Sequence, residues 1–208
     1  MEKSQSSISV NSLSCAIESK VILSDINFNL NSGQSITITG PNGVGKTLLL
    51  NTIVGFKSIF KGKISINKIN LSNNPSNRQE HIGYYGHKAS IHTGLTVMET
   101  IEYWKAYYSS DANTSELIKF WDLPNKTVES CSEGQRKRLA LVRLSLMNRN
   151  IWILDEPTTN LDFVGKKKFL ELHTSHLRAG GLSIITSHEP AQVKGHKIIN
   201  LARHSGKN

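Results

Sequence analysis

The sequence predicts an α/β fold in which a mostly parallel sheet is covered by helices on both faces. Three observations carry that expectation. Short apolar or alternating runs recur along the 208 residues, longer runs with helical spacing separate several of them, and one strand leads straight into a glycine-rich turn that opens an apolar helix.

The elements follow in chain order. Residues 7–10 (SISV), 20–30 (KVILSDINFNL) and 34–40 (QSITITG) are rich in β-branched residues and read as strands. Residues 41–55 (PNGVGKTLLLNTIVG) then give a turn and an apolar helix stopped by Gly55. The stretches 62–71 (GKISINKINL) and 81–87 (HIGYYGH) read as two further strands. From Thr96 the period lengthens, with Val97, Ile101, Trp104 and Tyr108 on one helical face, and residues 115–123 (SELIKFWDL) form a second short helix before Pro124. A third helix opens at Cys131–Gln135 (CSEGQ) and carries Leu139, Val142 and Leu146 on one side. A buried strand (150–157, NIWILDEP), a helix with a glycine stop (163–181), a second buried strand (182–188, LSIITSH) and a last strand (197–204, KIINLARH) complete the chain. This gives one domain over 1–208, with a core from 1–87 and 131–208 and a helical insertion over about 88–130.

Composition narrows the classes. Hydrophobic residues make up 38% of the chain, and it contains no apolar run of eighteen or more; its start, MEKSQSSISV, lacks the apolar stretch of a secretion signal. A cytosolic protein is expected. Cys15 and Cys131 stand far apart without a CxxC or Cys/His cluster, so neither a disulfide nor a zinc site is predicted. The net charge of +9 admits an acidic partner, although the lysines are spread throughout rather than gathered in one run.

The chemistry concentrates in two stretches. Gly40, Pro41, Asn42, Gly43, Val44, Gly45, Lys46 and Thr47 fit the pattern G-x-x-x-x-G-K-[ST] between a strand and a helix start. In such a loop the glycines let successive N–H groups face phosphate oxygens, Lys46 reaches the terminal phosphates, and the Thr47 hydroxyl holds Mg2+. The strand ending at Asp155 supplies a carboxylate for the same Mg2+, and Glu156 beside it can polarise a water as general base. The start of the CSEGQ helix offers a third anion site. Small polar residues there free backbone N–H groups at the positive end of a helix dipole.

With these motifs in order, the whole chain resembles the nucleotide-binding subunits of ATP-binding cassette (ABC) transporters. The resemblance implies a P-loop NTPase core with an N-terminal antiparallel β portion and a short helical subdomain. CSEGQ is similar to that family's signature, usually LSGGQ, which caps the terminal phosphate of ATP held by the P-loop of a second subunit. Cys131, Ser132, Glu133, Gly134 and Gln135 therefore join the candidate nucleotide-binding set. Ser132 and Gly134 are kept, Cys131 stands for an inward-packing leucine, and Glu133 stands for a glycine, where a carboxylate would repel phosphate unless it points outward. Asp162 in TNLD resembles the loop that bridges two subunits, and His188 resembles the switch histidine that contacts the terminal phosphate. His87 occupies the place of the usual glutamine, and an imidazole there would carry a pH-dependent charge. The aromatic residue that stacks on adenine is missing between Ser12 and Leu23, which leaves an aliphatic surface such as Ile17.

Within the superfamily, residues 83–104 (GYYGHKASIHTGLTVMETIEYW) resemble the heme-exporter ATP-binding subunits of cytochrome c maturation. That implies ATP hydrolysis coupled to integral membrane permease subunits, a pair of cassettes, and peripheral attachment to the cytoplasmic face of the inner membrane. No nucleic-acid partner is expected. Another small ABC exporter ATPase, or a nucleic-acid-associated ABC ATPase suggested by charge alone, are the alternatives. His87 and His92 read as surface histidines rather than heme ligands. The cluster Tyr103, Trp104, Tyr107, Tyr108 and Trp121 reads as the core of the helical insertion, with outer residues free for a membrane partner.

Overall fold

The computed structural model describes residues 6–86, 91–187 and 196–205. The chain divides into two compact units, one built from residues up to Tyr84 with Arg149–Glu156 and the chain from His176 onward, the other from Tyr85–Asn148 and Pro157–Ser175.

The first unit holds two sheets. Strands β1 (Ser7–Ile17), β2 (Lys20–Asn31), β4 (Lys61–Ile66) and β5 (Ile69–Asn70) form an antiparallel sheet in the order β2-β1-β4-β5. β1 sends Ile8, Val10, Leu13 and Cys15 into the core, and it keeps them there despite a bulge at Ser12, whose φ is +45°. The second sheet runs β6 (Ile82–Tyr85), β7 (Ile151–Asp155), β8 (Leu182–Thr186), β3 (Ser35–Thr39), β9 (His196–Asn200), and the pairs β7–β8, β8–β3 and β3–β9 are parallel. Every residue of β7 and β8 is buried, as expected of strands covered on both faces. Helix α1 (Lys46–Val54) lays Leu49, Leu50 and Ile53 into this core and ends at Gly55 in the left-handed conformation.

Several elements differ from the sequence reading, β1 among them, which runs on past Val10 to Ile17. The stretch 62–71 is two strands, because Asn67 and Lys68 both take positive φ and turn the chain between β4 and β5. Helix α2 (Pro75–His81) was not expected; Asn74 caps it by accepting from the Asn77 N–H, and Pro75 opens it. The last strand stops at Asn200, whose side chain caps a 3-10 turn over Leu201–Arg203 and so lets Leu201 bury completely.

The second unit is helical, with α3 (Val97–Tyr108), α4 (Thr114–Trp121) and α5 (Glu133–Leu146), joined by the Pro157–Asp162 segment and most of α6 (Phe163–Arg178). Thr96 and Glu99 form a reciprocal capping box at α3, and Asn113 caps α4. Trp104 and Trp121 are buried, whereas Tyr103 and Tyr107 face solvent. Arg143 links the aromatic residues, donating to the Tyr108 hydroxyl at 3.0 Å while standing 5.6 Å over the Trp104 ring.

Candidate functional site

β3 delivers the P-loop to the end of the parallel sheet, and the loop's shape follows from its glycines. Gly43 and Gly45 take φ of +79° and +108°, which side-chain-bearing residues rarely adopt. A Cβ at Gly45 would also come within 3.2 Å of the Leu23 side chain, so the β2 strand underlies the loop. Lys46, buried to 6% exposure, curls back over it and donates to the carbonyls of Gly40 at 2.9 Å and Pro41 at 3.4 Å.

The carboxylates stand together at the end of β7, two strands from β3 across the sheet. Thr47 Oγ1 donates to Asp155 Oδ2 at 2.8 Å, and Thr186 Oγ1, at the end of β8, donates to Asp155 Oδ1 at 2.7 Å. The same Thr186 oxygen accepts the Glu156 N–H at 2.9 Å. Glu156 has φ +49°, an unusual conformation for a residue with a side chain, and its Oε1 lies 3.9 Å from Lys46 Nζ. Thr186 was not anticipated from sequence. A threonine ending an apolar strand is ordinary, and only the pairing Asp155↔Thr186 gives it meaning. Nearby, burial and the Asp155 charge push the Tyr84 phenol up to about 12, so it stays a neutral donor and bonds Asn51 Oδ1 at 3.1 Å. Ile17, at the tip of the β1–β2 hairpin, is half exposed.

In the second unit, Ser132 and Gln135 form a capping box: Ser132 Oγ accepts from Gln135 N–H at 3.2 Å, and Gln135 Oε1 from Ser132 N–H at 3.0 Å. Cys131 is buried at 4% exposure. Glu133 Oε1 accepts from Asn160 Nδ2 at 3.2 Å. Asp162 caps α6 by accepting from the Gly165 N–H and lies 3.6 Å from Arg138 Nη2; a Cβ on Gly134 would stand 3.5 Å from its Oδ2. His87 and His188 lie outside the described residues. Among the described residues no cluster of three or more His, Cys, Asp or Glu could hold a metal, and no helix is long and apolar enough to cross a membrane.

A P-loop whose lysine and threonine face paired carboxylates at the end of a parallel sheet defines a P-loop nucleoside triphosphatase. The family model "ABC transporter" matches residues 23–159, and the chain belongs to that family, whose cassettes bind and hydrolyse ATP. It is 36% identical over 186 residues to "Cytochrome c biogenesis ATP-binding export protein CcmA" of Histophilus somni, covering 85% of this chain and 84% of that protein. The protein of the same name from Escherichia coli K12 is 32% identical, with 89% and 91% covered. Among solved structures, a putative ABC transporter ATP-binding protein of Pyrococcus furiosus superposes with a TM-score of 0.83 at 25% identity, covering 96% of this chain and all of that one. An ATP-binding cassette solved as a dimer with ADP and Pi has the same fold, with a TM-score of 0.76 at 22% identity over 93% of this chain and 94% of that one.

Proposed function

We propose that the chain is the ATP-hydrolysing subunit of a cytochrome c biogenesis transporter. Its work would be done on membrane permease subunits, at the cytoplasmic face of the membrane, by two copies acting together. The observation that carries this is the Lys46, Thr47, Asp155, Thr186, Glu156 constellation in a chain similar to CcmA proteins over most of its length.

The residues divide the work as follows. Gly40–Thr47 amides and Lys46 hold the phosphates; to do so Lys46 exchanges its bonds to the Gly40 and Pro41 carbonyls for phosphate oxygens. Thr47 and Asp155 fit Mg2+, since a hydroxyl and a carboxylate oxygen already meet at 2.8 Å with the second carboxylate oxygen fixed by Thr186. Mg2+ held there would neutralise phosphate charge. Glu156 takes a proton from the attacking water, His188 and His87 orient the terminal phosphate and the water, and Thr186 fixes the Glu156 backbone. Ser132 and Gly134, with Gln135 as cap partner, approach the ATP of the second copy, and Asp162 lies at the subunit contact. Hydrolysis then replaces one bound anion with two that repel, and the pair opens.

The test is affinity isolation of the tagged chain from detergent-solubilised membranes. Recovery with integral membrane subunits and a rise in ATP turnover in their presence are expected. Recovery with soluble nucleoprotein, and turnover stimulated by DNA with a steep salt dependence, would sink the proposal in favour of a nucleic-acid-associated ATPase.

A further inference from the structure

The start of α5 leaves backbone donors for an anion. The capping box uses the N–H groups of Ser132 and Gln135, and the Arg136 N–H bonds to the Ser132 carbonyl, so the Glu133 and Gly134 N–H groups take no part in it. A carboxylate also sits at this mouth, on the first residue of the helix. Left alone, the Glu133 side chain would turn toward the positive helix end, occupy those donors and repel phosphate. Instead, Asn160 Nδ2 donates to its Oε1 at 3.2 Å.

Asn160 is well placed for this. It takes φ +59°, a conformation asparagine tolerates better than most residues, and its segment is tied to α5 at two further points. Lys137 Nζ donates to the Thr159 carbonyl at 2.8 Å, and Arg138 Nη2 lies 3.6 Å from Asp162 Oδ2. Glu133, Lys137 and Arg138 fall at i, i+4 and i+5, so one face of α5 holds residues 159–162.

We infer that Asn160 is a positioning residue that draws the Glu133 carboxylate away from the anion-binding start of α5, and so allows an acid at this place in the signature. The inference rests on the proposal that Ser132 and Gly134 receive the phosphate of a second copy.

Steady-state ATP hydrolysis by the full chain with its membrane subunits tests it. Asn160→Gly keeps the positive φ while removing the amide, and is expected to raise the KM for ATP about three- to tenfold with kcat nearly unchanged. Adding Glu133→Gln should lower that KM back to within about twofold of wild type. The KM defect of Asn160→Gly should shrink as salt is raised. A loss of kcat at constant KM, or a KM that Glu133→Gln fails to restore, overturns the inference and assigns Asn160 to loop shape alone. Gly134→Asp serves as a separate arm. If it hydrolyses ATP like wild type, the anion-site reading of the signature is itself wrong. If it loses turnover while Glu133→Gln restores nothing, only the role of Asn160 fails.

Discussion

The Thr186 hydroxyl holds two functions in one atom, since it donates to Asp155 Oδ1 and accepts the Glu156 N–H. Thr186→Val keeps the shape of a buried strand end but removes both bonds. We expect kcat to fall about tenfold or more, with a smaller change in the KM for ATP, in a coupled ATPase assay. An unchanged kcat would leave the orientation of Glu156 to other contacts. The P-loop and the Asp155–Glu156 pair were legible in the sequence because each is a local pattern, a strand, turn and helix start or a strand end. Thr186 was not, because its partner lies 31 positions away and only the parallel register joins them. A second residue has a pH signature. His176 stacks on Trp152 with centroids 3.7 Å apart, and burial pushes its imidazole down to about 4 from an ordinary 6.5. The folded state therefore binds fewer protons than the unfolded one between those values, so its stability is intact above about 6.5 and falls as pH drops toward about 4. About 2 kcal/mol should be lost between pH 7 and pH 5, measured by urea unfolding, and His176→Phe should flatten that slope.

At the scale of elements, the β1–β4 pairing depends on a glycine that no motif marks. Gly62 has φ +102°, and a Cβ on it would lie 2.7 Å from the Asn11 carbonyl oxygen and the Leu13 Cα. The bulge at Ser12 crowds the β1 backbone against this position, and relief would require β1 to shift out of its register with β4. Gly62→Ala should cost about 3 kcal/mol or more, read as a lower urea midpoint, with soluble expression reduced. A midpoint within error of wild type would mean that the bulge yields easily. Sequence patterning located the strands with period-two or continuous apolar runs but missed α2. Its residues, Pro75–His81, show no apolar periodicity, and only Arg78 among them is buried, donating to the Leu71 and Ser72 carbonyls. The signal present was an asparagine followed by proline, a helix start without an apolar face. The merged reading of β4 and β5 failed for a related reason, since Asn67 and Lys68 make a positive-φ turn without a glycine.

For the whole molecule, the central question is whether one chain is sufficient. The P-loop, Asp155 and Glu156 belong to one unit, and the Ser132–Gly134 helix start belongs to the other, so a mechanism with both at one nucleotide needs either the same chain or a second copy. The family resemblance implies the second copy, and that implication has a direct measurement. Glu156→Gln keeps the shape and most of the polarity of the side chain but removes its basicity, so ATP should bind without being cleaved. In sedimentation or light scattering this variant is expected to run as a dimer with ATP and Mg2+ and as a monomer with ADP, which lacks the γ-phosphate proposed to meet Ser132 and Gly134 of a second copy. Gly134→Asp, placed in the same background, adds a fixed carboxylate beside that phosphate and should abolish the dimer while ATP still binds. The net charge of +9 works against self-association, and higher salt should therefore strengthen any dimer held by nucleotide rather than by surface charge. A Glu156→Gln protein that stays monomeric across ATP concentrations well above its binding constant, or one that hydrolyses ATP at the wild-type rate, would remove respectively the paired arrangement or the assignment of the base.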